Sequence, residues 1–206
     1  MRHFRVHPEN PQLRLINQAV TIIRSGGVVI YPTDSCYALG CEIGNKSAME
    51  RIRRIRELGD DHNFTLICRD LSELSSYARV DNQVFRRLKS LTPGPYTFIL
   101  EASREVPRRL QHPKRKSIGL RVPEHPIAQA LLEALDGPMM SVTLALPGEV
   151  EPLADPEEIM MQLGKRVDLL IDGGWGGYEP STVIDLTDTL PRVVRRGVGD
   201  PTVVEG

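Results

Sequence analysis

Leu13, Ile16, Val20 and Ile23 fall at intervals of three and four residues, the spacing that lines one face of a helix with apolar side chains. Asn10 is placed to cap this helix with Pro11 at its first position, and Gly26 and Gly27 stop it. Val28, Val29, Ile30 and Tyr31 then form an unbroken apolar run before Pro32, as expected of a short strand buried on both faces. Ala48, Met49, Ile52 and Ile55 restore the helical period, with Asn45 near its start. The other side of that helix carries Arg51, Arg53, Arg54 and Arg56. Such a charge run reads as a solvated face, although guanidinium forks also match phosphate oxygens.

Phe64 to Cys68 reads as the next strand. Asp70 with Glu73 three residues later is a capping box for a short helix, and Asp81 caps another that ends before Pro93. Strands are expected at Tyr96 to Leu100, Ile118 to Val122 and Met139 to Leu144, with a helix opened by Pro126 between the last two. Asp155, Pro156, Glu157 and Glu158 start a further helix, the acids opposing its dipole. Val167 to Ile171, Thr182 to Leu186 and Arg192 to Val194 complete the chain as strands. This alternation predicts one α/β domain over residues 1–206, a mixed sheet with helices packed on it.

Composition narrows the partners. With 206 residues, 40% of them hydrophobic and 26% charged, the chain can bury one substantial core without staples. A formal net charge of −1 excludes a global field that would draw it onto nucleic acid, so phosphate affinity has to be local. Cys36, Cys41 and Cys68 lack a disulfide framework or zinc-ligand spacing, and read as reduced thiols with no metal. No apolar segment approaches the roughly 20 residues of a membrane span, and the N-terminus is not of signal-peptide type. A cytoplasmic protein without membrane contact is expected.

Candidate chemistry is spread over several segments. Thr33, Asp34 and Ser35 follow the first strand in a loop reaching Gly40. Hydroxyls there can bond a ligand, and Asp34 can accept from an amine or a metal-bound water; composition favours a plain polar strand-to-helix connection. Arg108, Arg109, Lys114, Arg115 and Lys116 form a basic cluster between two expected strands. It suits RNA phosphates or an ordinary surface loop equally well, and aromatics for stacking bases are scarce nearby. Gly173, Gly174, Trp175, Gly176 and Gly177 lack the spacing of either nucleotide-binding glycine motif and read as a mobile loop. His125 before Pro126 reads as structural, and no nucleophile–base–orienter set is visible.

Five segments nevertheless recur in a recognisable order: Tyr31 to Ser35 ending at Gly40, Pro93 to Phe98, Gly119 to Pro123 before His125, Ser181 to Asp185, and Val194 to Gly197. Together they resemble the YrdC-like family of threonylcarbamoyl-AMP synthases, and most of all its YciO branch. The resemblance implies a twisted α/β sheet around an open, positively lined cleft. It implies a nucleotidyltransferase that joins L-threonine, bicarbonate and ATP into threonylcarbamoyl-AMP and pyrophosphate for tRNA modification, ATP being substrate and magnesium accompanying it. Binding of double-stranded RNA or tRNA is also implied. By position, Thr33, Arg121 and Ser181 would contact threonine. Arg56, Ser117, Ser141, Thr143 and Arg195 would serve the nucleotide and its phosphates.

Two motifs depart from the family. Its Lys-x-Arg motif falls on Arg56, Glu57 and Leu58, and its Ser-x-Asn motif on Thr143, Leu144 and Ala145. Leu58 replaces a phosphate-binding arginine and Ala145 an amide, so synthase activity is expected to be weak unless Arg54 or His62 compensates. The alternatives are a non-catalytic RNA-binding protein and threonylcarbamoyl chemistry on already modified tRNA. Arg121→Ala is expected to abolish threonine binding with the fold intact.

Overall fold

The computed structural model describes residues 1–59, 62 and 64–204. Its elements run as β1 (Arg2–Arg5), α1 (Leu13–Arg24), β2 (Val29–Tyr31), β3 (Ala38–Glu42), α2 (Lys46–Arg56), β4 (Thr65–Ile67), α3 (Leu71–Tyr77) and α4 (Asn82–Leu91). There follow β5 (Tyr96–Glu101), β6 (Ser117–Arg121), α5 (Pro126–Leu135), β7 (Met139–Thr143), α6 (Pro156–Leu163), β8 (Leu169–Asp172), β9 (Thr182–Asp185) and β10 (Arg192–Arg195). Among the described residues these strands form one ten-stranded sheet in the order β1-β8-β2-β3-β7-β4-β6-β5-β9-β10. β1 and β2 run parallel to β8, β4 to β6 and β5 to β9, and the other neighbours are antiparallel. The expected mixed α/β sheet is the one the chain forms.

The capping residues act largely as their chemistry predicts. Asn45 accepts from the Ala48 N–H at 3.0 Å, Asp155 from Glu157 at 3.0 Å, and Asp81 from Gln83 and Val84 at 2.9 and 2.8 Å. Asp70 accepts from Glu73 at 2.8 Å, but Glu73 reaches back to the Arg69 N–H at 2.6 Å, one residue before the expected partner.

Three expectations are corrected. The first helix begins at Leu13 with Gln12 in the cap position, not at Asn10 and Pro11. The Asn10 N–H instead donates to His7 Nδ1 at 3.1 Å, and Gln12 Oε1 accepts from the His7 N–H at 3.0 Å, so these residues are spent on a turn ahead of the helix. The segment after Pro32 leads to a strand rather than a helix: β3 pairs antiparallel with β2 and β7. Its Gly40 conceals the strand in the sequence, yet a Cβ there would lie 2.8 Å from Met139 and 2.9 Å from Tyr31, so the packing demands glycine. β1 was also not expected, because its alternation is short and charged; His3 Nε2 lies 2.8 Å from Asp172 of the neighbouring strand.

The two faces of the sheet are covered unequally. Val28, Ile30, Leu39, Leu66, Phe98 and Leu120 point to one side, into a core shared with α2, α3, α4 and α6. On the other side Val29, Tyr31, Ile67, Met139 and Leu169 pack against Ile16, Val20 and Ile23 of α1 and Ile127 and Leu131 of α5. That second core draws nothing from β5, β6, β9 or β10. The face over those strands is left open, and the site lies there.

Candidate anion-binding site

The uncovered face mixes small and hydroxylated residues with a few aliphatic ones, where the covered part is apolar throughout. Ser141 of β7, Thr65 of β4, Gly119 of β6 and Ile99 of β5 stand in register as one row across four strands. A Cβ on Gly119 would meet Thr65 Oγ1 at 2.8 Å, so the floor stays low there. Thr97 of β5, Ser181 just before β9 and Thr143 of β7 flank this floor in a cavity of about 370 Å³. The alternation of each strand puts these side chains on the open face once its apolar neighbours take the core face.

Three guanidinium groups enter the cavity, from Arg56 at the end of α2, Arg121 at the end of β6 and Arg195 at the end of β10. Among the described residues lining it there is no carboxylate. Arg195 is aimed by its backbone neighbour: Nη2 donates to the Ser181 carbonyl at 2.7 Å and Nε to the same oxygen at 3.2 Å. Burial lowers the pKa of Arg195, and Arg121 nearby lowers it further. Arg56 is lowered by burial and then by Arg195, and its buried Nε has no partner. Cations brought together in this way favour an anion between them.

Arg121 is held differently. It is 7% exposed and donates through Nη2 to Asp34 of the loop after β2, while its Nε is buried without a partner. Asp34 is thus engaged by a guanidinium through Oδ1, while its Oδ2 is buried without a partner among the described residues. Thr33 organises the same loop, its Oγ1 donating to the Cys36 carbonyl at 2.7 Å and accepting from the Ser35 N–H at 3.2 Å. Ser181 Oγ lies 2.8 Å from Thr97 Oγ1, and Ser141 Oγ 2.6 Å from the Tyr31 hydroxyl. Burial pushes the Tyr31 phenol far up, keeping that pair neutral. Burial also raises the Cys36 thiol, with Arg121 and Arg195 pulling in the other direction.

The glycine-rich segment, read from sequence as a mobile loop, makes specific contacts with the loop after β2. The Tyr37 hydroxyl donates to the Gly174 carbonyl at 2.6 Å and accepts from the Gly173 N–H at 3.1 Å. A Cβ on Gly177 would sit 1.9 Å from the Ser35 carbonyl oxygen, so the segment clasps the loop that carries Thr33 and Asp34. Trp175 stands 70% exposed and is not among the lining residues.

Thr33, Arg121, Ser181, Arg56, Ser141, Thr143 and Arg195 all come together in the cavity. Ser117 does not line it: it lies fully buried two residues before Gly119 on the same strand face, with its Oγ unpartnered. Arg108, Arg109, Lys114, Arg115 and Lys116 are exposed and outside it. Of these, Arg109 donates to the Gly44 carbonyl and Arg115 lies 3.6 Å from Asp185. The arginine side of α2 is not uniformly solvated. Arg51 pairs with Asp168 at 2.7 Å, Arg53 covers the Phe64 ring and Arg56 turns into the cavity.

Leu58 packs against the main core rather than toward the cavity, and Ala145 is also absent from its lining. Of the two residues that could replace the missing arginine, Arg54 is exposed and outside the cavity, whereas His62 lines it. Thr65 and Thr97 were missed by sequence reasoning. The signal was a single hydroxyl between apolar neighbours in each strand.

Fold and cavity define an α/β protein with a cationic, hydroxyl-floored cleft. The family model for Sua5, YciO and YrdC proteins, described as telomere recombination, matches residues 21–197. The chain belongs to that family. It is 66% identical over 197 residues to the uncharacterized protein YciO of Escherichia coli K12, covering 96% of each chain. The crystal structure of E. coli YciO superposes with a TM-score of 0.96, at 63% identity, covering 99% of this chain and 100% of that one. A threonylcarbamoyl-AMP synthase of Coxiella burnetii is 30% identical over 174 residues, 82% of this chain and 91% of the synthase. P. abyssi Sua5 in complex with L-threonine matches with a TM-score of 0.86 and 28% identity, over 96% of this chain and 58% of that one. Among the described residues no helix is long and apolar enough to cross a membrane.

Proposed function

We propose that the cleft holds L-threonine beside the phosphates of ATP and carries out threonylcarbamoyl-AMP chemistry in the service of tRNA modification. The observation that carries this reading is the convergence of Arg56, Arg121 and Arg195 on a hydroxyl floor with no carboxylate among the described lining residues. Threonine's carboxylate, the carbamate formed from its amine and bicarbonate, and the triphosphate are all anionic. Bringing them together needs fixed positive charge, and positioning matters more than a strong base. In this reading Arg121, held by Asp34, takes the threonine carboxylate, and Ser181 and Thr33 border that end. Arg56 and Arg195 face the phosphates with Ser141 and Thr143. Magnesium arrives with the nucleotide as part of the substrate, which fits a wall that supplies cations and no carboxylate.

With ATP bound, a carbamate oxygen attacks the α-phosphorus, the bond to the β-phosphate oxygen breaks, and pyrophosphate leaves. The arginines neutralise the charge that gathers on the phosphates during this displacement. Leu58 in the core leaves the cleft one guanidinium poorer than the family motif, so turnover is expected to be slow. A hydrogen bond to a charged group is worth roughly 1.5–3 kcal/mol, which sets a loss of about 10- to 100-fold in rate for that position.

The test is product formation by purified protein given MgATP, bicarbonate and L-threonine, followed as threonylcarbamoyl-AMP and pyrophosphate. Threonine-dependent product, lost in Arg195→Ala, supports the assignment. Absence of product together with absence of threonine or MgATP binding in folded protein overturns it.

A further inference from the structure

His62 lines the cavity from the segment that follows α2, on the same stretch as Leu58. Its N–H donates to the Gly59 carbonyl at 3.2 Å, and its ring meets Phe64 edge-on with centroids 5.8 Å apart. The Arg53 guanidinium carbon sits 4.8 Å from the centroid of that Phe64 ring, and Arg56 at the end of α2 and Arg195 at the end of β10 line the same cavity as His62. Asp60 and Asp61, next to it in the chain, lie outside the described residues. Burial pushes the His62 pKa down, and Arg56, Arg53 and Arg195 push it further in the same direction. Where the family resemblance expects a permanent cation at Leu58, the chain has an aliphatic side chain in the core and an ionisable ring in the cleft wall.

We propose that His62 is a proton-coupled ligand of the anionic substrate: neutral while only arginines surround it, it takes one proton from solvent as a phosphate chain enters, and then serves in place of the arginine that Leu58 displaces. The inference rests on the reading above that phosphates occupy this cleft. The physical cause is a change of sign in the local field. Three guanidinium groups oppose an imidazolium, whereas a polyanion lying among them favours it. The protonated ring then offers two N–H donors to phosphate oxygens, where the neutral ring offers one. No bond other than the new N–H is formed, and the proton comes from the buffer.

The sign of the linkage follows. Binding raises the pKa of His62, so affinity is greatest at low pH and falls as pH rises between the anion-free and anion-bound values. One coupled proton limits the slope to about tenfold per pH unit.

MgATP affinity measured by calorimetry from pH 6 to 8 at constant ionic strength tests this in the wild type, His62→Asn and His62→Arg. The wild type is expected to weaken by about tenfold across the range. His62→Asn loses that slope and stays near the weak wild-type value of pH 8, and His62→Arg loses it near the tight value of pH 6. Any slope from the nucleotide's own ionisation, or from Asp60 and Asp61, is shared by the three proteins and drops out of the comparison. Titrating the wild type in two buffers of different ionisation enthalpy counts the protons directly, so the proposal stays testable if a variant fails to fold. A wild-type slope no steeper than that of His62→Asn, or no proton uptake by the wild type, overturns the proposal and leaves the cleft assignment standing. No MgATP binding at any pH overturns both.

Discussion

On one side of the sheet, β8, β2 and β3 lie under α1 and α5, joined by Met139 of β7 and Ile67 at the end of β4, while the rest of β4 and all of β6, β5 and β9 leave the same face bare. Both halves alternate core-facing and outward-facing residues along each strand. In the covered half the outward positions are Val29, Tyr31, Leu169 and Ile171, and they form a second core. In the bare half they are Thr65, Thr97, Gly119 and Val183, and arginines at the strand and helix ends close over them. The comparison teaches that the cleft is a missing layer. A sheet normally buries both faces in an α/β fold, and a face that no helix covers must carry side chains that tolerate water or a ligand.

Substitutions in the two halves sharpen or break this contrast. The largest combined effect is expected for Arg121→Ala. Threonine binding is lost, and the fold does not escape as the sequence alone suggested, because Asp34 is left as a nearly buried carboxylate without its partner. Breaking such a pair costs about 3 kcal/mol. Urea unfolding of the single variant against the Asp34→Ala, Arg121→Ala double variant checks it: the double recovers stability but not threonine binding. Equal stability of wild type and Arg121→Ala would show that the pair does not hold the loop.

Leu131→Ala, under the covered half, is expected to cost a similar ~3 kcal/mol through cavity formation. Leu131 is 1% exposed and lies away from the cleft. MgATP affinity at a temperature where the variant stays folded should be unchanged, and a matching drop in affinity would mean that the halves are coupled. A smaller effect follows for Thr97→Val, which removes the partner of Ser181. About 1 kcal/mol of stability is at stake, with weakened threonine affinity measurable by calorimetry.

The smallest effect is expected at Asp168, behind the covered half. Burial alone would raise its pKa, but the Arg51 guanidinium and the Val28 N–H, each at 2.7 Å, hold it below the usual carboxylate value. A depressed carboxylate stabilises above its unfolded pKa of about 4 and loses that contribution as pH falls through the folded value. The pair is partly exposed, so Asp168→Asn should cost less than about 1 kcal/mol at pH 7. The difference from wild type in thermal unfolding should shrink as pH falls below about 4 and vanish only once pH has passed the lowered folded value.

Local chemistry determined much of this protein from sequence alone. The helices at Lys46–Arg56, Asn82–Leu91 and Pro126–Leu135 and the apolar strands were legible because capping, periodicity and apolar runs act over a few residues. The ordered motifs likewise pointed to the family before any geometry was known. Tertiary structure alone decided which hydroxyls face a cleft, since Thr97 and Ser181 meet only when β5 and β9, 84 residues apart at that contact, lie side by side. It also decided that Asp34 belongs to Arg121, that Leu58 turns into the core while His62 lines the cavity, and that the glycine-rich segment clasps the loop after β2. Each of these depends on distance in space between segments remote in sequence, and a side chain's partner across a sheet leaves no periodic trace in its own strand.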